Sequence, residues 1–257
     1  MLLRFSFDTT LDFTAPVWEH QLCLRCAPMQ DARQQLLECE TLLEPGTLPP
    51  PQVDGFGNTL YWCSINAPHT ALHYGSRGLA LVHPGPVAAP PPDPVLRWPG
   101  ARTRVGHNVQ QAFAAMPRPE APDAFLAQLG AYVHGLLTYC PGATGVQTTA
   151  EQALAAGRGV CQDYAHLYVA LARLAGYPAR YCMGLTIGEG ATHAWAELYY
   201  GGAWHGYDPT RNCPADDSYL RFGVGRDAAD CPVEQGVFRG ACDQWQTVFM
   251  RVEPAGE

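Results

Sequence analysis

Cys161, His193 and Asp208 are the residues whose types and surroundings fit acyl chemistry at a thiol. The thiolate is the reactive form of cysteine. The first turn of a helix favours it, because unpaired backbone N–H groups and the helix dipole stabilise negative charge. Cys161 follows Gly159-Val160 and opens a strongly helical segment, so it falls at that position. Gly159 permits a tight entry and close approach of a substrate backbone. A histidine must then share the thiol proton and later deliver it to a leaving amine. His193 follows the turn-forming Gly188-Glu189-Gly190-Ala191 and begins a strand. In that strand His193, Trp195, Glu197 and Tyr199 project to one face and Ala194, Ala196 and Leu198 to the other. A third group must fix the imidazole tautomer and stabilise the imidazolium. Asp208 ends the strand Trp204-His205-Gly206-Tyr207-Asp208, where Pro209 stops the ladder. A hairpin through Gly201-Gly202 brings it back beside His193.

Other chemically tempting residues have structural readings. Asp163 suits the positive end of the helix dipole, and its charge also opposes a thiolate at Cys161, so it is not counted as catalytic. His166, five residues after Cys161, lies on a different helical face and reads as a packing or hydrogen-bonding residue. His205 points away from Asp208 by strand parity. Trp195, on the His193 face, either walls a substrate cleft or fills the core. The close pair Cys23-Leu24-Arg25-Cys26 has strand-like neighbours and no second pair near it, so a zinc or redox role is not expected.

The elements that must position these residues fall into an α+β arrangement. Residues 1–85 are short apolar and β-branched segments cut by Gly, Pro, Asn and Asp, the pattern of an antiparallel, sandwich-like β domain. Strands are expected at 2–7, 17–26, 34–43, 59–65, 71–74 and 78–83, with turns at Asp54-Gly55-Phe56-Gly57-Asn58 and Ser76-Arg77-Gly78. Residues 86–100, with Pro90-Pro91-Pro92-Asp93-Pro94 among them, read as a linker. From 101 to 257 a second domain is expected, with helices at 104–116, 121–138, 150–156 and 161–175. The last is the central helix, stopped by Gly176-Tyr177-Pro178. Strands follow at 180–186, 192–200, 203–208 and 246–252.

Composition narrows the function classes. A chain of 257 residues that is 47% hydrophobic fills a substantial core. A net charge of -8, with no basic run, gives no footprint for nucleic acid or an anionic membrane. Met1-Leu2-Leu3-Arg4-Phe5-Ser6-Phe7-Asp8 lacks the apolar core of a signal peptide, so the cytoplasm is the expected location. There the ten cysteines read as reduced thiols.

The segments Gly159-Val160-Cys161-Gln162-Asp163-Tyr164-Ala165-His166, His193-Ala194-Trp195-Ala196-Glu197 and Asp208-Pro209-Thr210 resemble the three motifs of the transglutaminase-like superfamily, in that family's order. Asp54-Gly55-Phe56-Gly57-Asn58 resembles the β-rich region preceding the catalytic domain in bacterial members. Gly225-Arg226-Asp227-Ala228-Ala229-Asp230 and Gly236-Val237-Phe238-Arg239-Gly240 resemble their C-terminal segment. The resemblance implies a papain-like catalytic domain, a central helix packed on an antiparallel sheet, and chemistry through a thioester acyl-enzyme without a cofactor. A protein or peptide amide is the expected substrate, with hydrolysis favoured over amine transfer because nothing specifies an amine pocket. The rival expectation is a non-catalytic binding or scaffold module that keeps the fold. An oxyanion hole needs a donor besides the Cys161 backbone N–H. Gln147 and Gln152 lie upstream, where papain-like enzymes keep such a donor, and neither spacing decides between them.

Overall fold

The computed structural model describes residues 1–256. Its first strand, β1 (Leu2–Leu24), is a single continuous run. Leu3, Phe5, Phe7, Thr9, Leu11 and Phe13 are buried, while Ser6, Asp8, Thr10 and Asp12 point outward. That period-2 alternation carries the strand across residues 8–16, where a gap between two strands is expected. The first half of β1 pairs with β5 (His69–Val82) and β15 (Gln244–Pro254), and its second half with β4 (Thr59–Ile65) and β14 (Glu234–Arg239). Register shifts between Asp12 and Val17 and between Trp18 and Gln21 mark the bend. Strand β2 (Gln34–Glu44) adds to the outer side of β5, β3 (Gln52–Val53) to β4, and β9 (Gly188–Gly190) to β15, giving eight strands.

Strand β5 runs straight through the turn expected at Ser76-Arg77-Gly78. The glycines there serve close strand approach. A Cβ on Gly75 would stand 2.1 Å from the Phe7 carbonyl oxygen, and one on Gly78 would stand 2.0 Å from that of Glu38.

A second antiparallel sheet has the order β12 (Cys213–Pro214), β11 (Ala203–Asp208), β10 (His193–Tyr200), β8 (Ala179–Thr186) and β13 (Tyr219–Gly225). Four helices accompany it: α1 (His107–Ala115), α2 (Pro122–Leu136), α3 (Ala150–Ala156) and α4 (Cys161–Leu174). Helix α3 starts on a capping box between Thr149 and Gln152 and ends on Gly157 in the left-handed region, φ 64°. The short parallel pair β6 (Thr138–Tyr139) and β7 (Arg158–Gly159) leads into α4. Among the described residues no helix is long and apolar enough to cross a membrane.

Helix α4 is buried almost all round. Tyr164, Leu167, Tyr168 and Leu171 pack against α1, α2 and β10, and Ala165 packs toward the first sheet. The core under the first sheet is continuous with β8 and β13, where Phe222 stands edge-on to Phe5 and Phe7 at 6.3 and 5.5 Å between ring centroids. Burial of this many large apolar side chains, each stabilising by about 1.5–3 kcal/mol relative to exposure, welds the first sheet to the second unit.

Two boundaries differ from the sequence expectation. The second unit does not run from 101 to 257, because β14 and β15 return to pair with β1 in the first sheet. Residues 86–100 are not a free linker either. Ala88 bridges Ala203, the Ala89 carbonyl accepts from the Tyr199 hydroxyl at 2.9 Å, and Leu96 is buried in a short 3₁₀ turn, so the segment straps the second sheet.

Candidate active site

Three elements converge at one end of the second sheet. Val160 is extended, with φ -117°, and Cys161 is the first residue of α4, so the N–H groups of Cys161 and Gln162 precede any intrahelical acceptor. Asp163 shapes this entry. Its Oδ2 accepts from the Val160 backbone N at 2.8 Å and from the Thr144 hydroxyl at 2.6 Å. A Cβ on residue 159 would lie 2.7 Å from that of Asp163, so Gly159 makes room for the cap. Burial pushes the Asp163 carboxyl up, against the hydrogen bonds that pull it down.

His193 heads β10, and the β10–β11 hairpin pairs Ala196 with Tyr207, which sets Asp208 beside the start of β10. The His193 Nε2 lies 2.7 Å from Asp208 Oδ2. Asp208 is completely buried. Its Oδ2 also accepts from the Tyr219 hydroxyl at 2.9 Å, and its Oδ1 from the backbone N–H groups of Thr210 and Arg211 at 2.9 and 3.1 Å. Burial would raise this carboxyl, yet the hydrogen bond and charge of His193, then Tyr219 and the Arg211 backbone, hold it below the usual range.

Burial would likewise lower the His193 pKa. Hydrogen bonds to Asp208 and to Cys161, with the charges of both, overcome it and raise the imidazole to about 9. With Nε2 committed to Asp208, Nδ1 is the nitrogen left for the thiol. The raised value favours the protonated imidazole at neutral pH, with the Asp208 carboxylate as its counter-ion.

The remaining sequence candidates sort by contact. Trp195 does not wall a cleft: it is 1% exposed and packs edge-on to Tyr219 at 5.2 Å, because its place in the middle of the sheet puts it under the loops covering that face. It acts as a floor beneath Tyr219. His166 is fully buried, accepts from the Ala228 backbone N at 3.1 Å, and is lowered to about 3 by burial and by Arg102 and Arg173, so it is a neutral packing residue. His205 stacks on Tyr200 with centroids 3.7 Å apart. Gln152 has its side chain engaged in the α3 capping box, whereas Gln147 meets Arg102 and lines the cleft beside Gln162. Cys23 and Cys26 are buried thiols with burial raising both, Cys26 to about 12.

Tyr219 and Arg211 went unnoticed in the sequence. Arg211 Nε is 3.8 Å from Asp208 Oδ2, and its NH2 donates to the Thr186 hydroxyl at 3.0 Å. Arg211 follows Asp208-Pro209-Thr210, a local signal for proximity. Tyr219 carried no such signal, since only the pairing of β13 with β8 brings it back.

Residues 110–209 match the transglutaminase-like superfamily core, and residues 3–80 match the bacterial transglutaminase-like N-terminal region. An uncharacterised protein of Mycobacterium leprae is 29% identical over 248 residues, covering 85% of this chain and 87% of its own length. One of Mycobacterium bovis is 30% identical over 220 residues, covering 72% and 70%. A solved structure from Cytophaga hutchinsonii, described as a candidate cysteine protease, shares the fold with a TM-score of 0.81 at 20% identity, over 100% of this chain and 91% of the other.

Proposed function

Because the chain belongs to the transglutaminase-like superfamily, we propose that it attacks a carboxamide through Cys161 and passes the acyl group through a thioester, principally to water. The supporting observation is the part-buried 2.7 Å bond from His193 Nε2 to Asp208, which orients the imidazole toward a thiol at a helix N-terminus. In the first half-reaction the Cys161 thiolate adds to the carbonyl carbon, and the oxyanion forms at the open N–H groups of the α4 start. The His193 imidazolium gives its proton to the leaving nitrogen, the C–N bond breaks, and the thioester remains. His193, now neutral, takes a proton from water as that water adds to the thioester, and the carboxylic acid leaves Cys161 as thiolate again. An amine in place of water would complete a transfer instead. Asp208 keeps its charge throughout. The substrate class is a peptide bond or a glutamine side-chain amide of a protein or peptide.

The test is iodoacetamide alkylation of Cys161 at pH 6, followed by peptide mapping, in the native chain and in His193→Ala. Rapid labelling that His193→Ala abolishes supports a thiolate–imidazolium pair. Equal and slow labelling of an accessible Cys161 in both proteins would sink the catalytic reading.

A further inference from the structure

A cavity of about 620 Å³ runs between the inner face of the first sheet and the start of α4. Phe7 and Leu11 of β1, Gln246 and Val248 of β15, and Tyr181 and Met183 of β8 are among its walls. It is also lined by Gln162 and Thr192, the chain neighbours of Cys161 and His193. The cavity therefore lies beside the candidate nucleophile, and the β unit supplies part of its wall.

Its two charged side chains do not meet each other. Among the described residues that line it, Arg102 is the single cation and Glu234 the single carboxylate. Glu234 already accepts from the Tyr74 hydroxyl at 3.0 Å. The Arg102 guanidinium donates to Gln147 Oε1, while its Nε is buried with no hydrogen-bond partner. No carboxylate of the described residues lies within 4.0 Å of it. The other arginines near the site are committed. Arg211 lies against Asp208 and donates to Thr186, and Arg173 is engaged by Leu96, Thr103, Ala179 and Arg226. A partly desolvated guanidinium with unmade bonds favours a planar anion that two of its N–H groups can grip, and a carboxylate has that shape. Gln147, Gln162, Gln244 and Gln246 add amide donors and acceptors suited to an extended peptide backbone.

We propose that this cavity holds a short extended peptide substrate, and that Arg102 binds a carboxylate of that peptide close to the amide under attack. This rests on the thiol chemistry proposed above. Either a chain terminus or an acidic side chain supplies the carboxylate.

The experiment compares alkylation of Cys161 by N-bromoacetyl-glycine and by N-bromoacetyl-glycinamide. The thiolate attacks the bromomethylene carbon, a C–S bond forms, and bromide leaves, so both reagents report the same step and differ only in charge. The expected rate ratio in favour of the carboxylate is about tenfold, the size of one charge-assisted contact. Arg102→Gln brings the ratio to about one and Arg102→Lys restores part of it, whereas Arg211→Gln keeps it. The ratio is blind to a general loss of reactivity. N-bromoacetyl-aspartic acid α-amide, with its carboxylate on the side chain, distinguishes the two sources. A ratio near one for both acidic reagents in the native chain, or one that follows Arg211 rather than Arg102, overturns the proposal. If either result comes with labelling that still requires His193, the thiol reading stands. Labelling independent of His193 removes that reading and this one together.

Discussion

The His193 imidazole and the Asp208 carboxylate meet at 2.7 Å, with Asp208 wholly enclosed and four donors on its two oxygens. Asp208→Asn keeps the side chain's shape and removes its charge. Burial then outweighs the remaining pull of Cys161, and the His193 pKa falls from about 9. In the native chain this proton is a folding contribution, since the folded value is raised above 6.5. It is complete below pH 6.5 and lost as the pH climbs through 9. Urea midpoints across that window therefore decline in the native protein and flatten in Asp208→Asn. The proposed amide hydrolysis falls in the variant by about 10³-fold or more, and its alkaline limb moves to lower pH. An alkaline limb that stays in place would remove Asp208 from the site.

Tyr219 acts on the same carboxylate from the other side. Its hydroxyl helps hold Asp208 below the usual value of 3.8. For a depressed carboxyl, the stability is present above 3.8 and lost as the pH falls through the lower folded value. Tyr219→Phe raises that folded value, so acid unfolding followed by circular dichroism begins at higher pH. At pH 7 the variant loses about 2 kcal/mol, the worth of one buried hydrogen bond to a charge. Matching acid midpoints in the two proteins would show that the bond contributes nothing.

The positions of Cys161, His193 and Asp208 were legible because each depends on short-range signals. A glycine entry and a helical run place the thiol, and a two-glycine hairpin returns Asp208 to His193. What the sequence hid depends on distant partners. Residues 8–16 read as a gap between two strands, yet Asp8 and Asp12 fall on the outward phase of a continuous β1. Ser76-Arg77-Gly78 reads as a turn, but ladders on both sides hold it extended. Strand β13 escaped notice because Arg221 and its glycines look like surface, whereas every residue of it is buried. Trp195 was open to two readings because parity names a face and not what covers it.

The return of β14 and β15 to β1 makes the second unit dependent on the first. Strand β15 pairs with β1 from Leu3↔Pro254 to Phe13↔Gln244. A fragment of residues 101–257 would expose that strand's edge and the apolar face of β8 and β13, where Leu220 and Phe222 now meet the first sheet. It is expected to aggregate or to lack a cooperative melt by near-ultraviolet circular dichroism, whereas the whole chain melts cooperatively. A soluble, cooperatively folded fragment would show that the shared core is dispensable.

Arg221 ties the two units through charge as well as packing. It is 2% exposed, and it meets Asp31, in the loop before β2, at 2.6 Å and Glu197 of β10 at 3.3 Å. Arg180 closes on the same Glu197 oxygen at 2.6 Å. Burial alone would raise the Glu197 carboxyl, but Arg180, then Arg221 and Arg33, hold it far below the usual range. Glu197→Gln preserves the volume and leaves the buried Arg221 guanidinium and the partly buried one of Arg180 facing a neutral amide. Breaking a buried pair from one side costs about 3–5 kcal/mol, because the surviving charge keeps its desolvation penalty. Replacing the acid should therefore lower the urea midpoint far more than an exposed pair such as Arg77–Glu40, worth at most about 1 kcal/mol. Equal midpoint shifts for Glu197→Gln and Glu40→Gln would show that the Glu197 cluster is solvated in solution and does not fasten the two units.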